Sequence, residues 1–191
     1  MPPLSEDALS KFLLLGAETA STRRALSWVE RELGIAVTED NARAVRAVAA
    51  LRAGAPPEEI AKILDWKEFE GFCASLLRAR GFRVEENVTM RKPRVQVDLL
   101  ARSSTVALVI DCKHWGRTVG PSTLGTVAEA QAKRADRLRG RLDQIEPMVV
   151  VIVVLSNEAT RYVNGAAIVP IFALADFAGN VEGYTDGLPR H

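Results

Sequence analysis

The stretch Pro147-Met148-Val149-Val150-Val151-Ile152-Val153-Val154-Leu155 is apolar without interruption and dominated by β-branched residues. Such a run has no polar side to offer solvent, which suits a central strand covered on both faces. Covering both faces of a sheet takes helices on both, so this stretch commits its part of the chain to an α/β sandwich. It is far too short to span a bilayer. Two further strands precede it. Val95-Gln96-Val97-Asp98-Leu99-Leu100-Ala101 and Val106-Ala107-Leu108-Val109-Ile110 are joined by the polar Arg102-Ser103-Ser104-Thr105, a turn composition. With Ser104 and Thr105 at the tip, the register sets Asp98 opposite Asp111, their Cβ atoms roughly 5 Å apart. After the apolar run, residues 157–165 read as a helix, Ala167 to Phe172 as a short strand, and Leu174 to Phe177 as a final turn. The order predicts a mixed sheet flanked by helices.

Two carboxylates facing each other across a ladder destabilise it, and one is driven toward protonation unless a cation compensates them. Oxygen donors favour a hard divalent ion, Mg²⁺ or Mn²⁺, over Zn²⁺, since His114 and His191 are the only histidines and the two cysteines are far apart in sequence. Lys113 projects on the same side as Asp111, whereas Ile110 and Cys112 point the other way, into a core. The competing account is two solvated acids at strand ends with a lysine paired to one of them.

A third acid lies upstream. From Asp65 to Gly81 the apolar positions 66, 69, 72, 73, 76 and 77 trace one stripe of a helix, with Gly81 as its C-cap residue. Glu70 follows Phe69 on the border of that stripe, where it either reaches inward to a site or stays an ordinary surface acid.

Taken together, Trp66 to Gly81, Phe82-Arg83-Val84, the strand ending at Asp98, and Val109-Ile110-Asp111-Cys112-Lys113 resemble the PD-(D/E)XK nuclease superfamily. The likeness is to Mrr-type restriction endonucleases and archaeal Holliday-junction resolvases, and it covers roughly residues 65 to 175. Glu70, Asp98, Asp111 and Lys113 are the positions that match its site. Two departures stand out: the second acid is Asp111 where many relatives carry Glu, and Val97 replaces the proline of the motif. The resemblance implies a restriction-endonuclease-like fold and a catalytic set of Glu70, Asp98, Asp111 and Lys113. Asp98, Asp111 and the backbone carbonyl of Cys112 would hold Mg²⁺ or Mn²⁺, with Glu70 reaching the ion through water. Lys113 would orient the attacking water and offset charge growing on the phosphoryl oxygens.

Beyond Lys113, residues 114–122 read as a loop, with Ser122 as the cap of a helix from Thr123 to about Leu142. Gln131 on that helix resembles the glutamine some superfamily members add to the site, without the tyrosine that often follows it. The whole chain carries a net charge of only +1. Its distribution is uneven: residues 66 to 145 hold fifteen Lys/Arg against nine acids, while residues 1 to 65 hold eight against ten. Phosphate contacts need that local excess rather than a basic protein overall. Arg91, Lys92 and Arg94 ahead of the Asp98 strand, His114 and Arg117 after Lys113, and Gln131, Lys133, Arg134 and Arg137 on the helix are the candidate nucleic-acid contacts. For the helix, a solvated cationic face is the competing account. Trp115 either stacks on an unpaired base or packs against its loop.

Residues 1–62 read as an all-helical subdomain for packing, dimerisation or accessory DNA contact, with helices at Ser5–Thr19, Thr22–Leu33, Glu39–Arg52 and from Pro57 to Ile63. Leu13, Leu14, Leu15, Leu26, Trp28, Val29 and Leu33 are its apolar surface. Residues 63–180 read as the nuclease-like α/β domain and 181–191 as a frayed tail. Two buried-position cysteines and no secretory signal suggest a reducing cytoplasmic setting, with no membrane partner and no small-molecule cofactor. The resulting expectation is a Mg²⁺- or Mn²⁺-dependent endodeoxyribonuclease, acting as a homodimer on duplex or branched DNA in restriction, repair or recombination. The alternatives are a nucleic-acid-binding module with a nuclease-like fold and no turnover, and a purely structural assembly subunit.

Overall fold

Eight α-helices and six strands make up the computed structural model, which describes residues 6–92, 94–115, 119–139, 147–156 and 158–185. Four helices come first: α1 (Glu6–Leu15), α2 (Ala20–Trp28), α3 (Ala42–Arg52) and α4 (Pro57–Ala61). A π-helical turn, Val29–Leu33, extends α2 and stops at Gly34, whose φ of 69° favours glycine. Helix α5 (Trp66–Ala79) opens with a capping box: the Asp65 carboxylate accepts from the backbone of Lys67 and Glu68, while Glu68 reaches back to the Asp65 N–H. It ends before Gly81, at φ 86°.

The sheet follows, formed by β1 (Arg83–Arg91), β2 (Arg94–Arg102), β3 (Ala107–Lys113), β4 (Met148–Val154), β5 (Arg161–Val163) and β6 (Ala166–Pro170). Its order is β1-β2-β3-β4-β6-β5. β1, β2 and β3 are antiparallel neighbours, β3, β4 and β6 run parallel, and β5 closes the far edge antiparallel to β6. Helix α6 (Pro121–Arg139) is the crossover between the parallel pair β3 and β4. The β2–β3 register is the one expected, running from Arg102 opposite Ala107 to Leu99 opposite Ile110. Backbone pairing stops there, one position short of Asp98 and Asp111.

Both faces of the sheet are covered. Leu108, Ile110 and Cys112 of β3, with Val149, Val151 and Val153 of β4, join a core shared with α1 to α5 and with α7 (Leu174–Gly179). Val109 of β3 and Val150, Ile152 and Val154 of β4 pack against Leu124, Ala128, Ala135 and Leu138 of α6. Every residue of β4 is buried, as its composition requires. Phe12, Val45 and Ile60 from the N-terminal helices belong to the same continuous cluster as Phe69 and Leu76 of α5. Of the seven residues expected as their apolar surface, Leu13, Val29 and Leu33 are buried and Leu26 and Trp28 pack on the core, leaving Leu14 and Leu15 exposed.

Four local expectations are corrected. Residues 158–165 form no helix: Asn164 (φ 47°) and Gly165 (φ 79°) make a tight left-handed turn joining β5 to β6. Asn-Gly between apolar residues favours that hairpin turn. Helix α6 begins at Pro121, so Ser122 lies inside its first turn, and the Leu124 N–H bonds to the Gly120 carbonyl. Proline suits a first helical position because its missing N–H leaves nothing unpaired. The strand at Ala166 ends at Pro170; Ile171–Ala173 is a 3₁₀ turn leading into α7. Residues 181–185 form a short helix, α8 (Val181–Thr185), with Val181 only 2% exposed, while 186–191 lie outside the described residues.

Candidate active site

Strand β2 changes face at Asp98. Val95 and Val97 pack on the α6 side, whereas Leu99 and Ala101 join the core beneath α5. Regular alternation would keep all four on one face, so the strand is offset at Asp98, where its pairing with β3 ends. The Cys112 N–H, two residues past the last ladder pair, donates to Asp98 Oδ2 at 2.7 Å. A carboxylate has taken the place of a strand carbonyl there. Burial raises the Asp98 pKa, opposed by this hydrogen bond and reinforced by the Asp111 charge.

Asp111 is 4% exposed, at the end of a fully buried strand segment. Lys113 Nζ lies 2.7 Å from its Oδ2, and Arg134 Nη1 donates to Oδ1 at 3.4 Å. The lysine is out of line for a hydrogen bond, so Oδ2 is a buried carboxylate oxygen with no hydrogen-bond donor. Gln131, wholly buried, donates from Nε2 to the Val109 carbonyl at 3.4 Å and accepts from Arg134 Nη1 at 2.9 Å. Helical spacing explains the pair: residues 131 and 134, three apart, share one side of α6.

These groups meet in an open cavity of about 320 Å³ lined by Arg94, Val95, Gln96, Asp98, Asp111, Lys113, Arg134 and Arg137. Four cations thus surround two carboxylates. Gln96 was not among the expected residues; the change of face at Asp98 is a tertiary feature that strand alternation does not announce. Glu70 does not line the cavity. It lies 8% exposed on α5, and burial together with the charges of Asp98, Asp111 and Glu86 pushes its pKa up to about 7.

The other expected contacts divide. Arg91 and Lys92 sit at the β1–β2 turn, beside Arg94 but outside the cavity lining. Lys133 is exposed and also outside it. His114 turns inward: its ring lies 5.7 Å from that of Phe69, its Nε2 is buried without a hydrogen-bond partner, and burial lowers its pKa. Trp115 packs against the α6-side core. Arg117 lies outside the described residues. On the far face, Cys112 accepts or donates a hydrogen bond with Cys73 of α5, which together with burial raises its pKa well above the ordinary thiol value.

The donor set fits a hard cation. Asp111 offers two carboxylate oxygens faced only by the cationic side chains of Lys113 and Arg134, Asp98 carries two oxygens of which one is engaged, and the Cys112 carbonyl follows directly in the chain. Among the described residues, no three His, Cys, Asp or Glu side chains stand close enough together to share one ion. A site with two carboxylates suits Mg²⁺, which keeps several of its waters.

A mixed sheet flanked by helices, with an acid at the break in one strand and an acid-x-lysine at the end of the next, defines a restriction-endonuclease-like nuclease fold. The chain belongs to the Mrr catalytic-domain family, described as restriction endonuclease, whose model matches residues 61–175. This is the PD-(D/E)XK-type class that the sequence resembles. It is also 25% identical over 122 residues to a protein of Archaeoglobus fulgidus described as uncharacterized, covering 62% of this chain and 93% of that one. No solved structure matches the chain at a significant level. Domains of this class generally use divalent metals and act on DNA, and among the described residues no helix is long and apolar enough to cross a membrane.

Proposed function

We propose that this protein is a Mg²⁺- or Mn²⁺-dependent endonuclease that hydrolyses DNA phosphodiester bonds, in restriction, repair or recombination. The observation that carries the reading is the cavity itself: Asp98, Asp111 and Lys113 share it with Arg94, Arg134 and Arg137. Carboxylates that hold an ion and arginines that hold phosphates are the two requirements of metal-assisted phosphodiester cleavage. Asp98, Asp111 and the Cys112 carbonyl would hold the ion, which when bound supplies a charge that polarises the phosphoryl oxygen. Lys113 is braced at 2.7 Å from Asp111, placed to orient a water and to offset negative charge as the phosphate is attacked. Glu70, standing outside the cavity lining, acts through a water and accepts a proton near neutral pH. Arg94 and Arg137 grip flanking phosphates, and the N-terminal helices brace α5.

The test is a panel of labelled duplex, branched and single-stranded DNA and RNA, incubated with and without Mn²⁺. Metal-dependent nicks that Asp111→Ala abolishes while binding survives support the reading. Binding with no nicks in any form marks a nucleic-acid-binding module without turnover.

A further inference from the structure

Arg134 holds two partners at once. Its Nη1 donates to Gln131 Oε1 at 2.9 Å and to Asp111 Oδ1 at 3.4 Å. The Gln131 amide is wholly buried, and its Nε2 reaches the Val109 carbonyl at 3.4 Å, so close packing on every side holds it in place. Gln131 is therefore a fixed anchor. The bond to Asp111 is the longer one, and the Arg134 side chain is 36% exposed on the cavity wall, so only that end is free to move.

Asp111 has a cation at each oxygen, Arg134 at Oδ1 and Lys113 at Oδ2. Arg94 and Arg137 add positive charge to the same cavity, and both cations on Asp111 therefore compete with an incoming divalent ion for the same carboxylate. A divalent ion that binds Asp111 must displace one of them, since like charges at such separations repel in a partly buried cleft. Lys113 is two residues along the same strand face and stays beside Asp111. Arg134 is the one that can leave.

We propose that Arg134 is a positioning residue that trades places with the divalent ion. Without the ion it holds the Asp111 carboxylate in place. When the ion arrives, Arg134 stays tethered to Gln131 and turns its guanidinium into the cavity, onto a DNA phosphate. A planar fork with several donors can keep the amide and grip a phosphate together, which an ammonium cannot do in the same geometry. Ion binding and phosphate binding then favour each other, because each releases the contact the other needs. The inference rests on the nuclease reading.

The test is calorimetric titration of Mn²⁺ into the DNA-free protein. Arg134→Gln is expected to bind Mn²⁺ at least about five-fold tighter than the unaltered chain, at the low end of couplings between sites. Arg134→Met, which keeps the alkyl stem, should behave alike. A second readout is the salt dependence of DNA binding, taken with Lys113 in place on phosphorothioate-linked DNA, which keeps the backbone charge and resists hydrolysis. Adding Arg134→Gln should lower the slope by about one contact with Mn²⁺ present and leave it unchanged in chelator. Unchanged or weaker Mn²⁺ affinity in both variants, with the unaltered chain binding Mn²⁺ and cleaving DNA, overturns the exchange and leaves the nuclease reading intact. An unaltered chain that binds no Mn²⁺ overturns both.

Discussion

Burial, together with the field of Asp98 and Asp111, pushes the Glu70 pKa up to about 7. A carboxyl whose folded value is raised favours the folded state below its unfolded value and loses that contribution as pH rises toward 7. Metal-free protein should therefore lose urea stability between about pH 4.5 and 7, and Glu70→Gln should flatten that decline. A decline of unchanged size would show that the Glu70 charge is compensated elsewhere. Lys113→Ala should not weaken cation affinity, yet should slow cleavage by at least about two orders of magnitude, the usual scale for removing transition-state stabilisation. Unaltered single-turnover rates would take the lysine out of the chemistry. Asp98, Asp111 and Lys113 were legible in the sequence because strand alternation and hairpin register are short-range rules. The roles of Arg134 and Gln131 were not: their bonds to Asp111 and Val109 cross 23 and 22 residues and depend on how α6 rotates on the sheet.

At the scale of elements, the placement of Glu70 depends on where α5 starts. The Asp65 capping box satisfies the first backbone donors, and the field of those N–H groups lowers the Asp65 pKa. Asp65→Ala should cost about 1 kcal/mol by chemical denaturation, the typical loss of a cap. A smaller cost would mean that packing of Phe69 and Phe72 alone sets the helix start. The strands with clear alternation or continuous apolar character could be read directly. β1 could not, because Arg83, Glu85, Glu86 and Asn87 are exposed along an edge and its apolar positions are only half-buried. The β5–β6 hairpin was missed for a different reason: β5 is three residues long, too short for any periodicity, and only its Asn-Gly turn announces it.

For the whole molecule, the main consequence is that the N-terminal helices and the sheet share one hydrophobic cluster. Their helical character was plain from periodicity, but which surface they bury is a tertiary fact that no local pattern contains. Phe12 is 0% exposed, and Phe12→Ala should cost about 3–5 kcal/mol while keeping a single unfolding transition. Two separated transitions would mean that the helices fold apart from the nuclease domain. On the proposed function, Asp98 and Asp111, brought together where β2 breaks its alternation, would hold one divalent ion for phosphodiester hydrolysis. A crystal grown with manganese and measured at its absorption edge tests this most directly. One anomalous peak in contact with both carboxylates and with the Cys112 carbonyl is the expected result. A manganese-bound crystal with no peak between those two residues would contradict it.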